Sequence, residues 1–226
     1  MCERYAAFRS VDEIRRIFGT VNPLPDFAPT WNMAPTRLAP VVRVLPQSNE
    51  RHLDLLRWRL VPHWRAIRNP SASRSTPARR PPPRRRCSAT PSPAAAASCR
   101  SIPYEWQLTG GARRPHAIAR ADGTPMALAG LWEGWRGPDG EVLRGFTVLT
   151  TASCPVLRAL HERMPVVLEP PDWPLWLGER VGEGGGDIAA LLRPSAAAFR
   201  VWPVSILVNN VRNDGAHLLD PAPSLV

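Results

Sequence analysis

Apolar and polar positions alternate in blocks along this chain, and each block has its own period. Val11, Ile14, Ile17 and Phe18 recur at helical spacing, and Ser10 and Glu13 stand in capping-box positions, so a short helix to about Phe18 follows an N-terminal strand. Pro23, Pro25 and Pro29 make a loop. Strand-like runs follow at Ala39 to Leu45 and Leu53 to Leu60, the second alternating. Further strands are expected at Pro115 to Arg120, Met126 to Trp132, Phe146 to Thr151 and Met164 to Leu168. Gly137-Pro138-Asp139-Gly140 reads as a hairpin turn. Pro155 opens a helix to Leu160, Asp172 to Leu177 and Asp187 to Leu192 form short helices, and Phe199 to Val208 is a last long strand interrupted by Pro203. Helices and strands mix without βαβ alternation. The expectation is an α+β single domain: a strongly curved, mostly antiparallel sheet (a pseudo-barrel) with short helices.

One stretch breaks the pattern. From Asn69 to Pro103 the residues are mostly Pro, Arg, Ser and Ala, and no period is found. By composition this is a disordered linker or a basic insertion. It also changes the meaning of the charge. The chain of 226 residues carries +10, which invites a nucleic-acid reading. Eight Arg and no acid fall between Ala66 and Tyr104, so the rest of the chain nets only +2. All 29 basic residues are Arg, the mark of a G+C-rich gene.

The remaining bulk properties exclude some classes. Hydrophobic residues are 44% of the chain, enough for one substantial core. No run of eighteen apolar residues occurs and no signal pattern opens the chain, so the expected location is the cytoplasm or, in a bacterium, the nucleoid, with no membrane contact. Cys2, Cys87, Cys99 and Cys154 have neither metal nor disulfide-framework spacing, and no metal or cofactor is expected.

Candidate chemistry begins at Met1-Cys2-Glu3-Arg4-Tyr5. Once Met1 is removed, Cys2 carries a thiol and an α-amine two carbons apart. Their reference pKa values, about 8.5 and about 7.7–8.0, leave both partly reactive near neutrality. Such a pair condenses with an aldehyde and closes a five-membered thiazolidine. Read alone, the terminus favours Cys2 as an ordinary residue on a frayed end.

Four further stretches change that reading: Asn32-Met33-Ala34-Pro35-Thr36, Arg57 through Trp64, Tyr104-Glu105-Trp106 and His161-Glu162-Arg163-Met164-Pro165-Val166. With Val204-Ser205 and Val208-Asn209-Asn210, they resemble, in order and spacing, the SRAP family of SOS response-associated peptidases, or abasic-site processing proteins. The resemblance covers nearly the whole chain outside residues 69–103. It implies a protein that binds single-stranded DNA at an abasic site, removes its own Met1 and traps the ring-opened sugar on Cys2 as a thiazolidine, a covalent DNA–protein crosslink with lyase-like chemistry in its reversal. The partner implied is single-stranded DNA with abasic sites, and the expected state is a monomer.

The resemblance also assigns residues. Glu105 matches the active-site glutamate and His161 the histidine that moves protons during Schiff-base formation and reversal, tasks suited to a carboxyl and an imidazole. In isolation Glu105 is a strand-edge carboxylate and His161 a helix C-terminal cap. Arg4 and Arg163 match phosphate-holding positions, Trp64 an aromatic wedge against bases, and Asn32 and Thr150 positions lining the DNA groove. Trp106 reads as core.

Two departures stand out. The family has Gly after the cysteine, where this chain has Glu3. A carboxylate there repels phosphate and tends to raise the thiol pKa. The family's Asn-Ala-Arg-x-Glu-Thr motif, whose Asn meets the thiazolidine and whose Arg holds phosphate, is absent from residues 69–103. Ile-Asn-Ala-Arg-Ala-Glu-Thr-Ala-Ala, written in G+C-rich codons and read one nucleotide late, gives Ser-Thr-Pro-Ala-Arg-Arg-Pro-Pro. That is the string Ser75-Thr76-Pro77-Ala78-Arg79-Arg80-Pro81-Pro82. The segment thus reads as an out-of-frame interruption of one domain over residues 1–226, and the +10 charge is poor evidence for DNA binding. Two other classes stay open: an N-terminal-nucleophile glutamine amidotransferase, and a non-enzymatic nucleic-acid-binding module that uses the Arg/Pro segment as a basic arm.

Overall fold

A computed structural model describes residues 3–45, 47–61, 92–98 (backbone only), 102–109, 111–137, 140–179 and 187–222. Chain order begins with β1 (Tyr5–Ala7) and α1 (Val11–Phe18). Ser10 caps α1 through a complete capping box with Glu13, and Gly19 ends it at φ 65°, the left-handed conformation glycine adopts without strain. Then come β2 (Thr30–Met33), β3 (Leu38–Val44), β4 (Arg51–Trp58), β5 (Ser92–Ser98), β6 (Ile102–Thr109), β7 (Ala112–Arg120), β8 (Met126–Arg136), β9 (Val142–Val148) and β10 (Thr150–Ala152). The chain continues with α2 (Pro155–Arg158), β11 (Arg163–Pro165), β12 (Val167–Leu168), α3 (Trp173–Leu177) and β13 (Phe199–Pro203), with 3-10 turns between and after them.

The strands form two principal sheets. One runs in the order β13-β7-β6-β1-β2. The other runs β12-β8-β5-β3-β4-β9, and β9 also pairs with β8, so this sheet curls back on itself. Among the described pairs only β4 with β9 is parallel. The expected α+β class and curved, mostly antiparallel sheet are therefore what the fold shows.

Three apolar layers hold the sheets together. Tyr5, Met33 and Ile118 from the first sheet meet Val41, Leu56, Trp58, Leu128 and Phe146 from the second. Tyr5 and Trp58 pack with ring centroids 4.8 Å apart, a pairing that adds about 1 kcal/mol beyond the area it buries. On the far side of the curled sheet, Ile14 and Phe18 of α1 join Trp173 and Trp176 of α3 over Val42, Leu53 and Ala129. Burying each large side chain there stabilises by roughly 1.5–3 kcal/mol. Behind the first sheet, Ala6, Tyr104 and Ala117 pack under Val204 and Val208 of the carboxyl-terminal segment.

Three expectations are revised. Ser92–Ser98, within the aperiodic stretch, form β5 between β3 and β8; backbone pairing fills that gap without requiring an alternating sequence. The last strand ends at Pro203, and Ile206–Asn209 coil into a 3-10 turn, capped by the Ser205 hydroxyl accepting from the Leu207 amide. In β4 the buried residues are Leu53, Leu56 and Trp58, not one alternating set, because both faces of the strand are covered.

Candidate active site

β6 organises the site. Tyr5 and Ala6 of β1 pair with Pro103 and Ile102, and the Tyr104 amide donates to the Arg4 carbonyl at 3.0 Å. Continuing this register sets Arg4 beside Tyr104 and Glu3 beside Glu105. Side chains alternate along a strand, so Glu3, Glu105 and Gln107 share one face while Arg4, Tyr104 and Trp106 share the other.

Glu105 is 5% exposed. Burial pushes its carboxyl above the ordinary 4.5; the charge of the amino terminus and its hydrogen bond to the carboxyl oppose the rise, and the negative charge of Glu3 adds a little to it. Two residues along the same face, the Gln107 amide donates to the Ala159 carbonyl at 3.4 Å. This contact ties the Glu105 face to the turn after α2, where His161 lies half-buried. The Arg163 amide donates to His161 Nδ1 at 3.0 Å, which leaves the neutral ring with its proton on Nε2. Burial, the largest influence, lowers the His161 pKa below its ordinary 6.5. A buried carboxyl with a raised pKa and an imidazole whose Nδ1 accepts a backbone amide are thus joined through Gln107. Both can donate a proton or a hydrogen bond to an oxygen acquiring charge.

The predicted phosphate and groove residues form two pairs. Arg163 donates through Nε and a terminal nitrogen to Thr150 Oγ1 at 3.0 and 2.5 Å, and to the Thr150 carbonyl at 2.6 Å. The two residues lie on β11 and β10, where Thr150 pairs with Pro165 and Ala152 with Arg163. On the other face Arg4 donates to Asn32 Oδ1 and to the Val208 carbonyl, each at 2.8 Å. Asn32 is fully buried, and its amide nitrogen reaches the carbonyls of Val208, Asn210 and Asn213 at 3.3, 3.1 and 2.9 Å. Asn32 thus fastens the carboxyl-terminal loop and aims Arg4. Partial burial lowers the Arg4 pKa, with the nearby charge of Glu3 opposing the shift. Cys2 and Trp64 lie outside the described residues.

Trp106 departs from its expected place in the core. It is half-buried at the edge of the cluster behind the first sheet, its indole N–H donates to Asn209 Oδ1 at 2.7 Å, and the Arg4 guanidinium sits 5.9 Å from its ring centre. Strand alternation, which puts Trp106 on the face of Arg4 once β1 and β6 are paired, is the signal that finds it. Sequence reasoning also passed over Gln107 and Asp214. Asp214 accepts from the Thr30 hydroxyl at 2.7 Å and the Trp31 amide at 2.6 Å, pinning the loop that Asn32 holds. No local pattern marks either residue.

Comparison with known proteins places this geometry. The family model described as SOS response associated peptidase (SRAP) matches residues 1–211. The chain is 28% identical to the abasic site processing protein YoqW of Bacillus subtilis, over 97% of this chain and 99% of that one. It is 37% identical to the abasic site processing protein YedK of Escherichia coli over 52% of this chain and 53% of YedK. The mouse abasic site processing protein HMCES is 27% identical over 89% of this chain and 68% of its own. A solved structure of a protein from Bacteroides thetaiotaomicron superposes with a TM-score of 0.75, covering 98% of this chain and 100% of that one at 15% identity. Matched in sequence almost from end to end, and sharing its fold with that structure, this chain belongs to the SRAP family, whose named relatives are abasic site processing proteins.

Proposed function

We propose that the chain captures the aldehyde of an abasic site in single-stranded DNA on Cys2, after hydrolysis of the Met1–Cys2 bond frees the α-amine. The supporting observation is the buried Glu105, its pKa raised by burial, on the face that Gln107 links to the His161 turn. The amine adds to the aldehyde to give a carbinolamine. Glu105 gives its proton to the departing hydroxyl, which leaves as water. The thiol then adds across the imine, its proton passing to the nitrogen, and the thiazolidine closes. His161, held as a neutral Nε2–H donor, hydrogen-bonds the sugar oxygen and moves protons when the imine forms or reverts. Arg4 and Arg163 take the flanking phosphates, Asn32 and Thr150 hold the two guanidiniums in place, and Trp64 wedges between bases. Among the described residues, no helix is long and apolar enough to cross a membrane.

The segment 69–103 weakens this activity. It lacks the ring-contacting Asn and phosphate-holding Arg that the family motif supplies, so crosslinking by the chain as written is weak, and a chain with that motif restored crosslinks strongly. If no other reading frame across codons 69–103 encodes the motif, the out-of-frame origin fails.

The test is incubation with abasic single-stranded DNA and a denaturing gel. The expected result is a slow-migrating band that Cys2→Ala removes. A band that persists in Cys2→Ala, or none even with the motif restored, overturns the reading. A basic-arm binder is separated by changing Arg79, Arg80, Arg84, Arg85 and Arg86 to Ser, which abolishes DNA binding only if the arm carries it. Deleting the whole segment would also remove β5.

A further inference from the structure

We propose that the 3-10 turn Ile206–Asn209 displays Ile206 and Leu207 as an apolar shelf for the bases of single-stranded DNA, beside the phosphate that Arg4 takes. The proposal rests on the DNA-binding reading above and adds a base-contacting surface to it.

Exposure is the first observation. Ile206 is 68% exposed, Leu207 49% and Val211 47%, so three large aliphatic side chains within six residues stand in water. Single exposed aliphatics are ordinary, but neighbouring ones on a fixed turn mark a contact surface.

This turn is fixed. Ser205 Oγ accepts from the Leu207 amide at 3.3 Å, and the Leu207 carbonyl accepts from Asn213 Nδ2 at 2.8 Å. The Val208 side chain is fully buried, and its carbonyl accepts from Arg4 and Asn32 at 2.8 and 3.3 Å. Asn209 Oδ1 holds the Trp106 indole N–H at 2.7 Å. Val208 takes the inward position, which leaves Ile206 and Leu207 on the outer side.

Charge chooses the occupant. Arg4 bonds the carbonyl of the residue directly after Leu207, so a phosphate on Arg4 lies beside the shelf. Arg212, also exposed, follows Val211. The one acid between Ser205 and Leu219 is Asp214, which is turned to the Thr30 hydroxyl and the Trp31 amide. An apolar surface edged by guanidiniums fits flat apolar rings carried on an anionic backbone, which is the chemistry of a single strand. A second copy of this chain, docked through the same patch, would set Arg4 and Arg212 against like charges.

The experiment is fluorescence anisotropy on the full chain with two probes that carry no aldehyde: an oligothymidylate, and a base-free strand of the same length built from tetrahydrofuran phosphate units. Changing Ile206→Ser and Leu207→Ser together should weaken oligothymidylate binding by about tenfold, the effect of leaving roughly one aliphatic side chain uncovered. The salt slope stays, because no charge is removed, and binding of the base-free strand stays at the wild-type value. An equal loss on both probes, or no loss on oligothymidylate, overturns the proposal. So does a wild-type dimer in sedimentation that the double variant dissolves, which gives the shelf to a second copy. Each single variant should lose part of the tenfold, so the test stands if the double variant fails to fold. Crosslinking to abasic DNA is read separately. A base-dependent loss in a chain that never crosslinks defeats the capture chemistry and leaves the shelf, whereas a crosslinking chain whose double variant binds oligothymidylate normally defeats the shelf alone.

Discussion

Arg4 donates to Asn32 Oδ1 at 2.8 Å while the amide of the same Asn32 holds three carbonyls of the carboxyl-terminal loop. One buried side chain thus joins the first two strands to residues nearly two hundred positions away.

That saturation makes Asn32 costly to lose. Asn32→Ala removes the side-chain donor shared by the Val208, Asn210 and Asn213 carbonyls and the Oδ1 that Arg4 meets, so stability should fall by about 2–4 kcal/mol. Urea unfolding measures this. A loss below about 0.5 kcal/mol would show that the loop does not depend on Asn32.

Arg163 should act through phosphate. Arg163→Ala is expected to weaken binding to single-stranded DNA at every sequence and to reduce the salt dependence of log K by about 0.7, the value of one phosphate contact on a single strand. Thr150→Val keeps the charge but removes the hydroxyl that holds the guanidinium, so affinity should fall with the salt slope retained. An unchanged slope in Arg163→Ala, read by fluorescence anisotropy across a salt series, would take Arg163 out of the interface.

Two shifted groups give stability opposite pH dependences. The folded pKa of Glu105 lies above 4.5, so the folded chain holds a proton that the unfolded chain releases. Its contribution is complete below about pH 4.5 and is lost as pH rises through the folded value. The folded pKa of His161 lies below 6.5, so its contribution is present above 6.5 and is lost as pH falls toward the folded value. Glu105→Gln removes only the first effect. Its stability relative to wild type should rise with pH above 4.5 and be flat below. Urea midpoints across that range check it, and a pH-independent difference would contradict the buried, raised carboxyl.

Two backbone positions predict changes of opposite sign. Thr36 sits at φ 73°, where a β-branched residue is strained, and its amide and carbonyl are both bonded, to the Trp58 carbonyl and the Arg57 guanidinium. Thr36→Gly should keep the turn and stabilise by about 1 kcal/mol. At Gly145 a Cβ would lie 2.0 Å from the Arg59 carbonyl oxygen, between the parallel strands β4 and β9. Gly145→Ala should cost more than about 3 kcal/mol, and thermal melts that rank the two variants the other way would refute both readings.

Much of this was legible in the residues themselves. The capped helix α1 and most strands follow from period, cap and turn chemistry, which are local properties. The motifs around Asn32, Glu105 and His161 carried the family, because side-chain chemistry at fixed order survives without coordinates. Trp106 was misplaced because a tryptophan at the edge of a cluster and one inside it look alike until the neighbouring strand is known. β5 was missed because its place comes from two strands that need a partner, not from its own sequence.

The sequence by itself determined which groups are available: a Cys–amine terminus, a glutamate on a strand, a histidine after a helix, and arginines without lysine. Tertiary structure alone decided their states. Burial raises the Glu105 pKa, the Arg163 amide on Nδ1 leaves neutral His161 its proton on Nε2, and Asn32 turns inward to hold a loop. Protonation and hydrogen-bond direction depend on the few ångströms around each atom, and strand register, not position in the chain, sets those surroundings.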